Sequence, residues 1–415
     1  MEPSEKEQID CRESDTLSAE QGERRTRAEA IATLGSYPRM MEEFGKVPGL
    51  LERMTDDLKR REALLVVEAP YLSEGDWRVL TCLELFDRAT FEHCQRTWGL
   101  AKEKLESTAA VGTYFREELA KEGLTVEHIL RACLLHDCGK MCLDRAVLND
   151  EHTDGEWEMV NEKFCTRVYG AELGVEKSAE LKKYTDEYPS HRAIHHVPYE
   201  ALAELGESER ERVEALRAKG VNVSLPLAEL IAAHQEHSGE TLEAENPDDP
   251  AAVLVAHHHP IGVLGTLGSP EEEKYGTGLS VLRSGMTLAT EMGYAIDILR
   301  LSDIYDAYHS ARVYKPGHPS LAAYEYLLKE ADRGVIKTKV AEAWVKDSIT
   351  NLDKEEYFTS LADYVEQEEL ARSPGEMLKI TRLFEEEQVA HEKLCARGII
   401  EGGCVVPTTE RTPLK

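Results

Sequence analysis

Leu134-Leu135-His136-Asp137-Cys138-Gly139-Lys140 is the stretch on which the reading of this chain turns. It closes a helical pattern in which Val126, Ile129, Leu130, Cys133 and Leu134 form one apolar stripe. Asp137 continues that stripe and His136 falls beside it. A carboxylate on a buried helix face is expensive unless it is paired or bound to a cation. Adjacent His and Asp side chains can both reach one metal ion, with the carboxylate free to bridge to a second. The plain alternative is a hydrogen-bonded His–Asp pair in a helical core. A bare dipeptide favours that alternative, so the weight falls on what accompanies it.

Two distant segments accompany it. Phe86, Thr90, His93, Thr97 and Leu100 share one helix face, which presents His93 inward. Ile296, Leu299, Asp303 and Ala307 form another stripe, so Asp303 also faces a core. Asp306 reads as a structural hydrogen-bonding group. The expectation is that His93, His136, Asp137 and Asp303 converge on one site.

The rest of the chain bounds the kind of protein. Its 415 residues allow one large domain or two to three ordinary ones. Lys and Arg number 49 against 79 Asp and Glu, a net charge of −30. A field of that sign repels long nucleic acid. A small anionic substrate stays compatible where metal ions supply local positive charge. No run of about 18 apolar residues is present, so no membrane span is expected. The polar, acidic first residues lack the character of a signal peptide, which points to the cytoplasm. Nine cysteines without scaffold spacing read as reduced thiols. Cys133, Cys138 and Cys142 lie close together, but no second Cys pair completes a tetrahedral zinc set.

Helical periodicity dominates, and strand-like alternation is scarce. The expected fold is all-α. A helical, partly disordered extension takes residues 1–75. The body at 76–335 carries an insertion at about 175–250. Further helices fill 336–415. Asn246 to Pro250 and the Gly-rich run from Gly262 to Gly278 read as loops.

Taken together, these segments resemble the HD superfamily of metal-dependent phosphohydrolases, and within it the HD-GYP branch. His136-Asp137-Cys138-Gly139-Lys140 is similar to that branch's HDxGK. Val147-Leu148-Asn149 and Asp154-Gly155-Glu156-Trp157-Glu158-Met159 resemble the segment that follows it there. Ser302 to Lys315 looks like its last ligand helix and the Arg-x-Tyr-basic motif beyond. The likeness covers roughly residues 80–320 in patches. It implies an HD-type helical bundle holding two divalent metal ions, iron or manganese before zinc. A metal-activated water would attack a phosphodiester, with cyclic di-GMP as the implied substrate. Asp137 and Lys140 would be catalytic, with Lys140 also on the phosphate beside Arg312 and Lys315. A homodimer is compatible with this picture.

The chain departs from the branch in three ways. The Gly-Tyr-Pro signature is absent. The helix after Glu156 has no His where the branch has one, reading Glu162-Lys163-Phe164-Cys165-Thr166. The separation from His136 to Asp303 is longer than usual. Three clusters compete to supply the missing His and the His-His pair: His191 with His195-His196, His234 with His237, and His257-His258-His259. The favoured ligands are His257 and His258 as the pair and His196 as the single one. His258 with His259 is the other register, His195-His196 a rival pair, and His234 the third choice. Adjacent helical residues point about 100° apart, so a pair serves one site best where a helix ends. The absent signature keeps open a phosphohydrolase of another nucleotide or phosphate ester. The missing His keeps open a catalytically silent sensor of metal or nucleotide.

Overall fold

The structure is a computed structural model, and it describes residues 22–31, 37–150, 152–169, 194, 197–247, 249–259, 293–310, 320–351 and 374–400. Three of the segments singled out above lie outside these residues: the 191–196 histidines, the Gly-rich run, and Arg312 with Lys315.

In chain order the helices are α1 (residues 22–31), α2 (Tyr37–Gly45), α3 (Leu50–Arg61), α4 (Ala63–Glu68) and α5 (Glu74–Phe86). Then come α6 (Arg88–Glu106), α7 (Ala110–Lys121), α8 (Val126–Leu135), α9 (Arg145–Leu148) and α10 (Asp154–Tyr169). They are followed by α11 (Glu207–Ala218), α12 (Leu227–Ala232), α13 (His234–Glu245) and α14 (Pro250–Ala256). The last are α15 (Gly293–His309), α16 (Ser320–Asp332), α17 (Thr338–Asn351) and α18 (Pro374–Ala396). No strand occurs among the described residues, so the fold is all-α. Among them, no helix is long and apolar enough to cross a membrane.

Packing divides the chain into two units. One comprises residues 1–92 and 135–287, the other 93–134 and 288–415.

Helix α8 ends at Leu135, where the first unit resumes. His136 and Asp137 therefore lie in a turn leading into a 3-10 segment, Cys138–Cys142, rather than on the helix itself. That segment packs against α13, and α13 packs against α14. Both contacts run through glycine. A Cβ on Gly139 would lie 1.9 Å from the His234 carbonyl oxygen and 2.4 Å from the Ser238 nitrogen. One on Gly239 would lie 2.8 Å from the Ala256 Cβ. The far end of α13 is tied down by Glu245, which accepts from the Tyr37 hydroxyl at 3.0 Å and from Arg78 at 2.8 Å. The Asn246–Pro250 loop begins where expected, and Asp249 caps α14 by accepting from the Ala251 N–H.

A second core in this unit gathers Trp157, Val160, Tyr199, Leu202, Val213 and Leu216. At its edge, His152 is clamped between carboxylates, 2.6 Å from Asp150 and 2.9 Å from Glu209. Asp150 also accepts from the Trp157 indole at 2.9 Å. Both ring nitrogens of His152 can donate only when the ring is charged. Its hydrogen bond to Asp150 raises its pKa, against an opposing effect of burial.

In the second unit, α15 is buried along most of its length. Its N-terminus is capped from α7's end, where Glu122 accepts from the Tyr294 and Ala295 N–H groups at 2.8 and 3.1 Å. Phe115 and Trp344 pack with ring centroids 6.1 Å apart, and Lys104 pairs with Asp347 at 2.9 Å.

Two outcomes follow for the first unit. Gly139→Ala lowers the thermal midpoint, by an amount equivalent to about 1–3 kcal/mol or more, because backbone on α13 cannot move aside as a side-chain tip could. An unchanged melting curve would show that the close approach is absent in solution. His152→Gln acts in a pH-dependent way. A raised folded-state pKa means the clamp is fully present below the unfolded value of about 6.5 and is lost as pH rises through the folded value. Chemical denaturation should show the variant destabilised by about 1.5–3 kcal/mol near pH 6 and much less near pH 9.

Candidate metal centre

Asp137 enters the first unit's interior from the turn after α8, with 2% of its surface exposed. His234 is the first residue of α13, and His258 and His259 lie just beyond α14. One ligand atom from each of these four residues lies within 4.8 Å of the other three. The His234 Nε2 is 2.9 Å from Asp137 Oδ1, 3.2 Å from His258 Nε2 and 3.2 Å from His259 Nε2.

The hydrogen bonds around the rings decide what these distances mean. His234 Nδ1 lies 2.6 Å from the Ile231 carbonyl, and His258 Nδ1 lies 2.6 Å from the Val255 carbonyl. A carbonyl only accepts, so each Nδ1 must carry the proton. In the neutral rings, both Nε2 atoms then present lone pairs to each other at 3.2 Å. Two lone pairs in a dry site repel; a proton or a shared cation between them removes the conflict. Backbone carbonyls holding the outer nitrogen are also the support that metal-bound imidazoles require. Ligands about 2.0–2.1 Å from a tetrahedral metal lie about 3.3 Å from one another; the two His234 contacts with His258 and His259 match this, and the His258 Nε2 lies farther out, 4.0 Å from Asp137 Oδ1. Three imidazoles and one carboxylate therefore fit a divalent cation of the iron, manganese or zinc type better than calcium.

Lys140 sits on the other carboxylate oxygen, with Nζ 2.5 Å from Asp137 Oδ2. Burial pushes against charge on Asp137, but its neighbours, Lys140 foremost, outweigh it and hold the carboxyl well below its ordinary range. Asp137 is thus an anion, ion-paired to Lys140. His136 is fully buried and packs edge-on to His258, ring centroids 5.0 Å apart.

Two of the three histidine clusters lie among the described residues. Of the two registers at the end of α14, the structure brings His258 and His259 to Asp137, while His257 caps the helix and stands outside the group. The helix ends at Ala256, earlier than Pro260 suggested. His258 and His259 are therefore free of the 100° helical offset, and their rings lie 4.1 Å apart. His234, ranked third from sequence, is in the group, and His237 pairs with Glu240 at 3.0 Å near the surface. His196 lies outside the described residues. His234, Ser238, Thr241 and Leu242 fall at helical spacing, and the structure buries all four.

His93 and Asp303 belong to the second unit. There the His93 Nε2 is 3.0 Å from Asp303 Oδ1, and its Nδ1 is 2.6 Å from Asp306 Oδ2. Arg96 forks onto Asp306 at 2.7 and 3.0 Å. Burial works against charge on Asp306, but the bonds from His93 and Arg96 lower its pKa to about 2. Asp306 thus orients His93 so that Nε2 faces Asp303, in line with its structural reading.

Comparison with known proteins returns no match, whether to family models, to curated proteins or to solved structures.

The register can be checked directly. In the metal-loaded protein, His259→Ala should lose bound metal, and His257→Ala should retain the wild-type amount by elemental analysis. The reverse pattern would restore the 257–258 pair.

Proposed function

We propose that this protein is a metal-dependent phosphohydrolase of the HD type, and specifically a phosphodiesterase that opens a cyclic dinucleotide such as cyclic di-GMP. The observation that carries this reading is the set Asp137, His234, His258 and His259. The HD-GYP pattern calls for an Asp after His136, a single middle His and a His-His pair, and this set supplies all three. The His missing near Glu162–Thr166 is thereby accounted for, which weakens the silent-sensor reading. The family pattern would add a second metal ion.

Bound divalent cations would supply Lewis acidity and acidify a water at neutral pH. The chain's own residues do the rest. Asp137 and the imidazoles hold the charge in place. Lys140, ion-paired to Asp137, offers Nζ as a counter-charge to phosphate oxygens, whose negative charge grows during attack. Arg312 and Lys315 are assigned to the substrate's phosphates by the resemblance alone. Positive charge confined to such a site reconciles an anionic substrate with a chain of net charge −30.

The absent Gly-Tyr-Pro signature favours one second reading, hydrolysis of another nucleotide or phosphate ester. A panel of cyclic dinucleotides, linear dinucleotides, mononucleotides and simple phosphate esters, run with the iron- or manganese-loaded protein, separates the two. Hydrolysis of cyclic di-GMP, reduced more than about 100-fold in Asp137→Ala with helical content unchanged, is the expected result. Turnover of only a linear or monomeric ester selects the second reading. Full activity in Asp137→Ala refutes the metal mechanism.

A further inference from the structure

Ser238 has contacts that its own helix does not require. It is fully buried at the middle of α13, one turn after His234. A serine within a helix commonly satisfies its hydroxyl on the carbonyl four residues back. Here the hydroxyl crosses to another segment. It donates to the His136 carbonyl at 2.6 Å and accepts from the Gly139 N–H at 2.8 Å. These two backbone groups flank Asp137 on either side. The hydroxyl therefore closes the turn that carries Asp137 and fastens it to the helix that begins with His234.

We propose that Ser238 is the positioning residue of the candidate metal centre: its hydroxyl sets the turn at Asp137 in register with His234. The inference rests on the metal-centre reading above. Three features support the assignment. Both hydrogen-bonding capacities of the hydroxyl are used, so neither alanine nor an apolar residue replaces it. The contact is buried, so water does not substitute readily for a lost hydroxyl. Gly139 already sits against the α13 backbone, so the hydroxyl acts along a contact where small displacements are transmitted rather than absorbed. Gly239 occupies the adjacent position and admits Ala256 of α14 on its own side. Ser238 and Gly239 together therefore relate the three segments that carry Asp137, His234 and the His258–His259 pair. Supporting contacts of this kind tune metal affinity without touching the metal.

The test uses the full chain stripped of metal and titrated with Co²⁺, whose visible absorption reports both affinity and coordination geometry. Wild type, Ser238→Ala and Asp137→Ala are compared, and each is also melted without metal. Removing one hydroxyl leaves no added bulk, so Ser238→Ala should fold. It should bind Co²⁺ about 10–100-fold more weakly than wild type, with altered absorption bands. A variant that merely loosened the fold would melt lower but keep the wild-type spectrum once saturated. Wild-type affinity and spectrum in Ser238→Ala, alongside lost binding in Asp137→Ala, would overturn the role of Ser238 and leave the metal centre standing. Failure of the wild-type protein to take up Co²⁺, or equal uptake by Asp137→Ala, would overturn the metal reading and this inference with it.

Discussion

Asp137, His234, His258 and His259 bring their ligand atoms within 4.8 Å of one another, and the first unit is built so that they stay there. Left to themselves, such side chains would turn toward water. Each is prevented by a contact of its own. The Ile231 and Val255 carbonyls hold two of the rings by their outer nitrogens. Gln235 accepts from the backbone N–H of His259 at 3.2 Å. Lys140 balances the charge of Asp137. The four side chains are thereby held close enough together to share a cation.

Helix α13 is the element through which these contacts are related. One side receives the turn at Gly139, another receives α14 at Gly239, and in both places a side chain would keep the segments apart. Its end is anchored through Glu245 to α2 and α5. A helix pinned at its end and wedged on two sides cannot slide. Chemical precision at His234 therefore derives from steric features that carry no chemistry themselves.

The second unit treats its buried carboxylates differently, although three of them share α15. Asp306 is gripped by His93 and Arg96 and remains an anion. Asp297 faces Lys337 at 3.3 Å, yet burial dominates and raises its pKa. Asp303 faces the His93 Nε2, the ring atom that Asp306 orients toward it. One helix thus holds carboxylates of different character, each set by its neighbours rather than by its own residue type.

Much of this was legible in the sequence. Amphipathic periodicity is local, so the all-α class and the inward placement of His93 and Asp303 could be read from spacing alone, whereas Asp137 is buried from a turn beyond the end of α8. Asp306 reads in the sequence as a hydrogen-bonding group, and it pairs with His93 and Arg96. The choice among the histidine clusters could not be read. Which of two adjacent histidines faces a site depends on the residue at which a helix stops, and α14 stops at Ala256 rather than near Pro260. His234 resembled any buried helical residue, because nothing in a linear stripe says what lies across from it. Gly139 and Ser238 meet across about a hundred residues of chain, and only folding brings that glycine's missing side chain and that serine's hydroxyl to bear on one turn. Residue type and spacing decided which groups are buried; the close packing of α13 decided which of them meet.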